Sequence, residues 1–289
     1  MKLNGRFALI TGASQGLGAE IARHYVTNGA SVMLCARNAE MLEAERQALA
    51  PLLVPGAQIV TVAADVGKTE DVDRVFDQLR AEFPRLDILV NNAGVYGPMG
   101  NIEDVDWTEW VDAVRINLIG LVYVSRAAMP LLRAQRYGKI INISGGGAAN
   151  PMPAVTAYAA SKAGVVRFTE SLALECRDDH IDVNAIAPGA LVTRMMDQLL
   201  EAGPGKVGQA FFDRMKKIAQ DGGTPLAIGA RLCVFLGSSE SDGITGKLIA
   251  AQWDRWEDWP QHLDELNASD VYTLRRIVGR DRNKEWGDR

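Results

Sequence analysis

Tyr158 and Lys162 stand four residues apart at the end of the stretch SGGGAANPMPAVTAYAASK, which runs from Ser144 to Lys162. On a helix that spacing sends both side chains from one face. A phenol beside an ammonium is an acid–base device. The positive charge favours phenolate and draws the tyrosine's pKa down from about 10 toward working pH. Just upstream, the run from Gly138 to Ser144 reads as a buried strand ending in a hydroxyl. A strand end, a glycine-rich loop and a helix carrying Tyr and Lys can bring three polar groups around one carbonyl. The same Tyr/Lys spacing also occurs in helices where the tyrosine packs and the lysine is solvated, so its meaning rests on the surrounding elements.

Those elements begin near the N-terminus. Phe7 to Thr11 reads as a buried strand, and Gly12, Ser14, Gln15, Gly16, Leu17 and Gly18 form a glycine-rich turn into a helix predicted over Leu17 to Asn28. Glycines let backbone approach phosphate, and a helix N-terminus supplies free N–H groups and partial positive charge. A second strand, Ser31 to Ala36, ends at Arg37. An acidic residue there favours NAD by bonding the ribose 2′-OH, whereas an arginine accommodates the 2′-phosphate of NADP. Arg37 with no carboxylate beside it favours NADP(H), and Gln15 in place of a basic residue leaves NAD(H) as the alternative. Arg37 could equally be a solvated turn residue.

The alternation continues. Helices are expected over Ala39 to Ala50 and Glu70 to Glu82, with strands over Gln58 to Ala63 and Ile88 to Asn91. Asp65 and Val66 follow the third strand, and Asn91, Asn92, Ala93 and Gly94 end the fourth. Such spacing implies parallel βαβ units, whose ligands bind outside the strands' C-terminal ends. Trp107 to Gln135 reads as one long helix. Asn117 lies within it and needs a partner for its amide, either in its own helix or in a functional role. A helix from about Val155 to Cys176, a strand over Ile181 to Ala187 and the turn Pro188-Gly189 lead to Thr193. Residues 194–223 read as a less regular lid over the site. A helix over Leu226 to Leu236 and a strand over Lys247 to Ala251 follow. The expected fold is a doubly wound α/β domain over residues 1–252, a mostly parallel sheet of about seven strands with helices on both faces.

Composition narrows the function classes. The 289 residues carry a net charge of −5, with 47% hydrophobic and 23% charged residues. Nucleic acid is therefore a poor expectation for a partner. Cys35, Cys176 and Cys233 lie in apolar contexts without close spacing, and the three histidines are scattered, so neither disulfides nor a metal is expected. Lys2 and Arg6 flank only a short apolar run, and no continuous apolar run approaches bilayer length. A cytoplasmic location and no membrane partner are the expectation.

Taken together, the motifs resemble those of the short-chain dehydrogenase/reductase family, in its single-domain branch, over about residues 5 to 250. TGASQGLG from Thr11 to Gly18 looks like its cofactor motif, NNAG from Asn91 to Gly94 its fourth-strand motif, and YAASK from Tyr158 to Lys162 its catalytic motif. Pro188, Gly189 and Thr193 look like its nicotinamide-side motif. The resemblance implies that Tyr158 is the general acid in reduction and general base in oxidation. It implies that Lys162 holds the nicotinamide ribose and lowers the Tyr158 pKa, and that Asn117 holds a relay water. It places Asp65 and Val66 at the adenine, and Asn91, Ala93 and Gly94 at the adjoining ribose. It also implies a homodimer or homotetramer and a small-molecule carbonyl or alcohol substrate. The family's serine usually lies thirteen residues before the tyrosine, where this chain has Gly145 and Ser144 lies one residue earlier. A flexible Gly145–Gly147 loop would shift register and present Ser144.

The reading is thus interconversion of a ketone and a secondary alcohol with NADP(H). The alternatives are an NAD-dependent sugar or alcohol dehydrogenase, or a catalytically silent dinucleotide-binding sensor. The extension over residues 253–289 holds Trp253, Trp256, Trp259 and Trp286, four of the chain's six tryptophans. So much indole area must dock on something, on its own domain or, the sharper expectation, on another subunit.

Overall fold

The computed structural model describes residues 1–284. Seven strands form one sheet in the order β3-β2-β1-β4-β5-β6-β7, every pair parallel. The strands are β1 (Phe7–Thr11), β2 (Ser31–Ala36), β3 (Ile59–Ala63), β4 (Ile88–Asn91), β5 (Gly138–Ile143), β6 (Ile181–Ala187) and β7 (Leu248–Ala250). β4 and β5 are buried along their whole length. That is why neither alternates apolar with exposed polar residues, and why Lys139, Asn142 and Asn91 within them are buried polar groups.

On one face lie α1 (Gly16–Thr27), α2 (Ala39–Leu49) and α10 (Leu226–Gly237). On the other lie α3 (Thr69–Glu82), α4 (Trp107–Val114), α5 (Leu121–Gln135) and α6 (Thr156–Glu175). The order reverses between β1 and β4, so a crevice opens beyond the C-terminal ends of those two strands.

The stretch Trp107–Gln135 is helical throughout, but Arg115–Gly120 is a π-turn that separates α4 from α5. By length and composition this 29-residue helix is long and apolar enough to cross a bilayer, an 18-residue window of it having a mean hydropathy of 1.2. The expectation that no segment reaches that length counted only unbroken apolar runs. Here the helix packs on α3, β4 and β5 as a core element.

Residues 194–223 are more regular than expected. They form α7 (Arg194–Ala202), a single turn α8 (Pro204–Val207) and α9 (Gln209–Gln220). Gly203 and Gly208 break the run at φ +76° and +83°, which a glycine adopts without strain. Met196, Leu199, Val207 and Met215 bury together as a small separate core.

The tail docks on its own domain. Trp256 and Trp259 are buried within the main core, and the Trp256 indole N–H donates to the Ala251 carbonyl at 3.2 Å. The Trp256 ring lies 5.2 Å from that of Phe235, and Trp259 lies 4.4 Å from Tyr272. The chain then returns beside β7, an edge strand. The Leu248 N–H donates to the Tyr272 carbonyl, and the buried Lys247 ammonium donates to the carbonyls of Leu266, Ser269 and Val271. This covers a sheet edge that would otherwise present free backbone groups. The expectation that these tryptophans cross to another subunit is therefore corrected for Trp256 and Trp259. Trp253 is exposed, and Trp286 lies outside the described residues.

Trp256→Ala should lower unfolding free energy by about 3–5 kcal/mol, the usual cost of emptying a buried aromatic site. Urea unfolding of the full chain measures it, and a loss below about 1 kcal/mol would mean the tail is not part of the core.

Candidate active site

The crevice between β1 and β4 is built by a threonine and an asparagine. Thr11 Oγ1 donates to the Val90 carbonyl and accepts from the N–H groups of Asn92 and Ala93 at 3.0 and 3.1 Å. Asn92 Nδ2 in turn donates to the carbonyls of Thr11 and Gly12, both at 3.0 Å. The two strand ends are thus tied together across the crevice. Gly12 has φ +65°, and a Cβ there would fall 2.8 Å from Ala93 Cα. A Cβ at Gly18 would collide with the Gly12 carbonyl and lie 2.5 Å from Asn92 Nδ2. Only glycine fits either place, and the N-terminus of α1 follows directly.

The remaining residues of the loop sit as follows. Ser14 is half-buried, and Gln15 is exposed and extended at the N-cap of α1. Leu17 is buried, meeting Pro188 across Gly229. Gly16, at φ +58°, lies under the Thr193 methyl group, which would be 3.5 Å from a Cβ there. Gly189 has φ +101° and packs against Thr224. The base of α7 therefore closes over the glycine loop.

Arg37 is exposed at the end of β2 and has no hydrogen bond or ion pair among the described residues. Asp65 accepts from the Gly67 N–H, while its own N–H donates to Asp71. Val66 is buried, its carbonyl pressed against Gly120 in the π-turn. The Asn91 side chain turns inward. Its amide is 2% exposed and donates to Ser125 Oγ and Asn142 Oδ1, both at 2.9 Å. That commits the side chain to the core and leaves only its main chain for a ribose. Asn91 Oδ1 itself has no partner.

The Tyr158 end of the site is held by α6, β5 and the π-turn. Asn117 is fully buried; its Oδ1 accepts from the Val95 N–H and its Nδ2 donates to the Val95 carbonyl, both at 2.8 Å. Nδ2 also donates to Ser161 Oγ at 3.1 Å, and that hydroxyl donates to the Tyr158 carbonyl. The amide therefore does not bond its own helix. It pins the loop after β4 to α6. Gly94 sits between Asn117 and Lys162, since a Cβ there would lie 3.2 Å from Asn117 Oδ1 and 3.5 Å from Lys162 Nζ.

Lys162 is 3% exposed, and its ammonium donates to the Ile143 carbonyl at 2.7 Å. Burial pulls its pKa down to about 8. Its Nζ is 5.6 Å from the centroid of the Tyr158 ring. The expected lowering of the Tyr158 pKa does not occur in the chain alone. Burial first, and the neighbouring Tyr96 second, push it well above the ordinary tyrosine value. Desolvation disfavours phenolate more than a lysine beside the ring favours it.

Ser144 is 2% exposed and its hydroxyl donates to the Lys162 carbonyl at 3.2 Å, on the backbone of α6. Among the described residues no hydrogen bond joins that hydroxyl to Tyr158. The Gly145–Gly147 loop is a bonded turn, with the Ala148 N–H donating to the Gly145 carbonyl and the Asn150 N–H to that of Gly146. On the far side, the Tyr96 ring lies 4.9 Å from the Tyr158 ring and lines an open cleft of about 690 Å³ between residues 95–109 and 198–206.

A model of the short chain dehydrogenase family matches residues 6–203. The chain belongs to the short-chain dehydrogenase/reductase family. It is 37% identical over 207 residues to 11-beta-hydroxysteroid dehydrogenase 1A of Arabidopsis thaliana, a match covering 71% of this chain and spanning 58% of that relative's length. NAD+-bound xylitol dehydrogenase superposes with a TM-score of 0.79 at 26% identity, over 86% of this chain and 98% of that one. L-sorbose reductase from Gluconobacter frateurii, complexed with NADPH and L-sorbose, superposes with a TM-score of 0.77 at 28% identity, over 86% and 97%. The glycine cradle at Gly12 and Gly18, too tight for any side chain, is consistent with a backbone built to approach a pyrophosphate.

In this short-chain dehydrogenase/reductase, Thr11, Asn92, Ser161 and Tyr96 shape the site without having been singled out as site residues from sequence. Their signal was weak, because hydroxyls and amides acting on backbone groups have no fixed spacing.

The Lys162 burial has a measurable sign. Its folded pKa of about 8 lies below the unfolded value of about 10.4, so the folded state carries a penalty at neutral pH that fades as pH rises between those values. Relative to Lys162→Met, the wild type should gain stability from pH 7.5 to 10, by up to about 3 kcal/mol. Urea unfolding of both proteins across that range measures the difference, and parallel pH curves would contradict the burial.

Proposed function

We propose that this oxidoreductase interconverts a ketone and a secondary alcohol, with NADP(H) as the favoured cofactor. The observation that carries the reading is the convergence of Tyr158, Lys162, Asn117 and Gly94 beside the β4 and β5 ends, at the mouth of the glycine cradle. When bound, the nicotinamide supplies or accepts the hydride.

The chain's own residues handle the proton. In reduction the Tyr158 hydroxyl donates its proton to the carbonyl oxygen; in oxidation the phenolate takes it back. A tyrosine whose pKa is raised by burial is protonated at neutral pH, the state required of the acid. Lys162 would hold the ribose hydroxyls, at the cost of exchanging or sharing its bond to the Ile143 carbonyl. Asn117 would support a relay water by fixing the geometry of the π-turn and the loop at Val95. Gly12, Gly16 and Gly18 would take the pyrophosphate, Asp65 and Val66 the adenine, and Ala93, Gly94 and the main chain of Asn91 the adjoining ribose.

The exposed Arg37, with no hydrogen bond or ion pair among the described residues, supports the choice of NADP. A guanidinium already paired to a carboxylate would be less available to a 2′-phosphate. The relatives that carry NAD+ and NADPH keep NAD(H) as the second reading.

The decisive measurement is NADPH oxidation by the pure protein across β-ketoesters, 3-oxoacyl thioesters, keto sugars, steroids and quinones. Tyr158→Phe should lower kcat by roughly 10²–10⁴-fold, the usual worth of a positioned general acid. Undiminished turnover in that variant would reject the assignment. Tight NADPH binding without turnover on any carbonyl would favour a silent sensor. Arg37→Asp should weaken NADPH binding about tenfold or more while sparing NADH, read by fluorescence titration. Equal loss for both cofactors would remove Arg37 from the 2′-phosphate site.

A further inference from the structure

The three glycines after β5 differ in surroundings. A Cβ at Gly146 would meet open space. A Cβ at Gly147 would lie 3.0 Å from Met152 Sδ and 3.2 Å from Ala159 Cα. A Cβ at Gly145 would fall inside the contact radius of the Tyr158 hydroxyl oxygen and 3.4 Å from Cζ of the same ring. The backbone at Gly145 is extended, at φ 172°, so its conformation does not demand glycine. What demands glycine there is the phenol.

The phenol has little else to locate it. Its hydroxyl makes no hydrogen bond to a protein atom among the described residues. The Ser144 hydroxyl is committed to the Lys162 carbonyl. The Tyr96 ring stands 4.9 Å away on one side, tilted by 60°, and is itself packed on the lid core formed by Met196, Leu199 and Met215. Tyr158 is thus set by packing, with ring contact on one side and bare backbone on the other.

We infer that Gly145 is a positioning residue: its missing side chain provides the place that the Tyr158 hydroxyl occupies, so that in this chain the phenol meets the substrate carbonyl without a side-chain hydroxyl from position 144 or 145 beside it. The inference rests on the acid role proposed for Tyr158, but its packing half stands apart from any turnover. A hydroxyl at position 145 could assist Tyr158 only after displacing it.

The test is a double-mutant cycle on the full chain between Gly145→Ala and Tyr158→Phe. In the wild-type background Gly145→Ala overpacks the site and should lower Tm by roughly 2–10 °C. In the Tyr158→Phe background the oxygen is gone, the added methyl meets only ring carbon at ordinary contact distance, and the Tm change should vanish. An equal Tm loss in both backgrounds would overturn the inference, whatever the enzyme does.

The kinetic half uses any substrate the wild type turns over. Gly145→Ala should lower kcat roughly 10–100-fold, as a misplaced catalytic group does. Its affinity for NADPH, titrated by fluorescence, should stay unchanged. Gly145→Ser should fall with it. A Gly145→Ser enzyme as fast as the wild type, or faster, would show that position 145 can host a helping hydroxyl and would overturn the inference. If Tyr158→Phe keeps full turnover, the acid assignment fails instead, and the Tm cycle still reads the packing.

Discussion

The site depends first on a buried hydrogen bond from the Lys162 ammonium to the Ile143 carbonyl at the end of β5, which Ser144 and Asn142 reinforce with bonds of their own to α6. The ammonium is almost wholly buried and has no carboxylate partner among the described residues, so a backbone carbonyl is what keeps it from being an unpaired charge in the core. That bond registers α6 against the sheet. With α6 placed, Tyr158 one turn earlier is carried to the mouth of the crevice, and Ser161 is carried to Asn117. A buried charge held by a carbonyl is a costly arrangement, and strongly perturbed groups of this kind cluster at functional sites.

The second support is the π-turn at Arg115–Gly120. It lets the long helix keep its course along β4 and β5 while Asn117 faces the loop after β4 instead of its own backbone. Asn117 and Asn92 do parallel work. Each is an amide that fastens a loop by bonding main-chain groups, one at Val95 and one at Thr11 and Gly12. Together they hold the cofactor crevice and the Tyr158 region to the same strand end. Rigid backbone on both sides leaves the lid, residues 194–223, as the wall of the cleft with its own small core. Tyr96 belongs to both, since it lines the cleft and packs its ring at a tilt against Tyr158.

The C-terminal extension acts far from this chemistry. Trp256 and Trp259 deepen the core on the α10 side, and Lys247 holds the returning chain by three carbonyls beside β7. It completes the sheet edge in the way a neighbouring strand would, and the buried lysine fixes its register.

Sequence alone determined the alternation of strands and helices, the glycine turn after β1, the seven-stranded parallel sheet and the pairing of Tyr158 with Lys162. These are local matters. Apolar runs, helix periodicity and turn glycines act over a few residues, and each is visible where it stands. The helix expected at Leu17–Asn28 differs from α1 by one residue at each end, and that at Glu70–Glu82 from α3 by one residue at its start. What only the tertiary structure decided depends on partners far apart in the chain. Whether a lysine depresses a tyrosine's pKa depends on how deeply both are buried, and burial reversed the expected sign at Tyr158. Whether Asn91 faces a ribose depends on Ser125 and Asn142, which the fold brings to its amide. Whether Gly145–Gly147 is a flexible loop depends on α6, against which two of its three glycines are pressed. Whether the tryptophans seek another subunit depends on the gap left for them beside Phe235 and β7. Propensity is written along the chain, but desolvation and close contact exist only once distant residues meet.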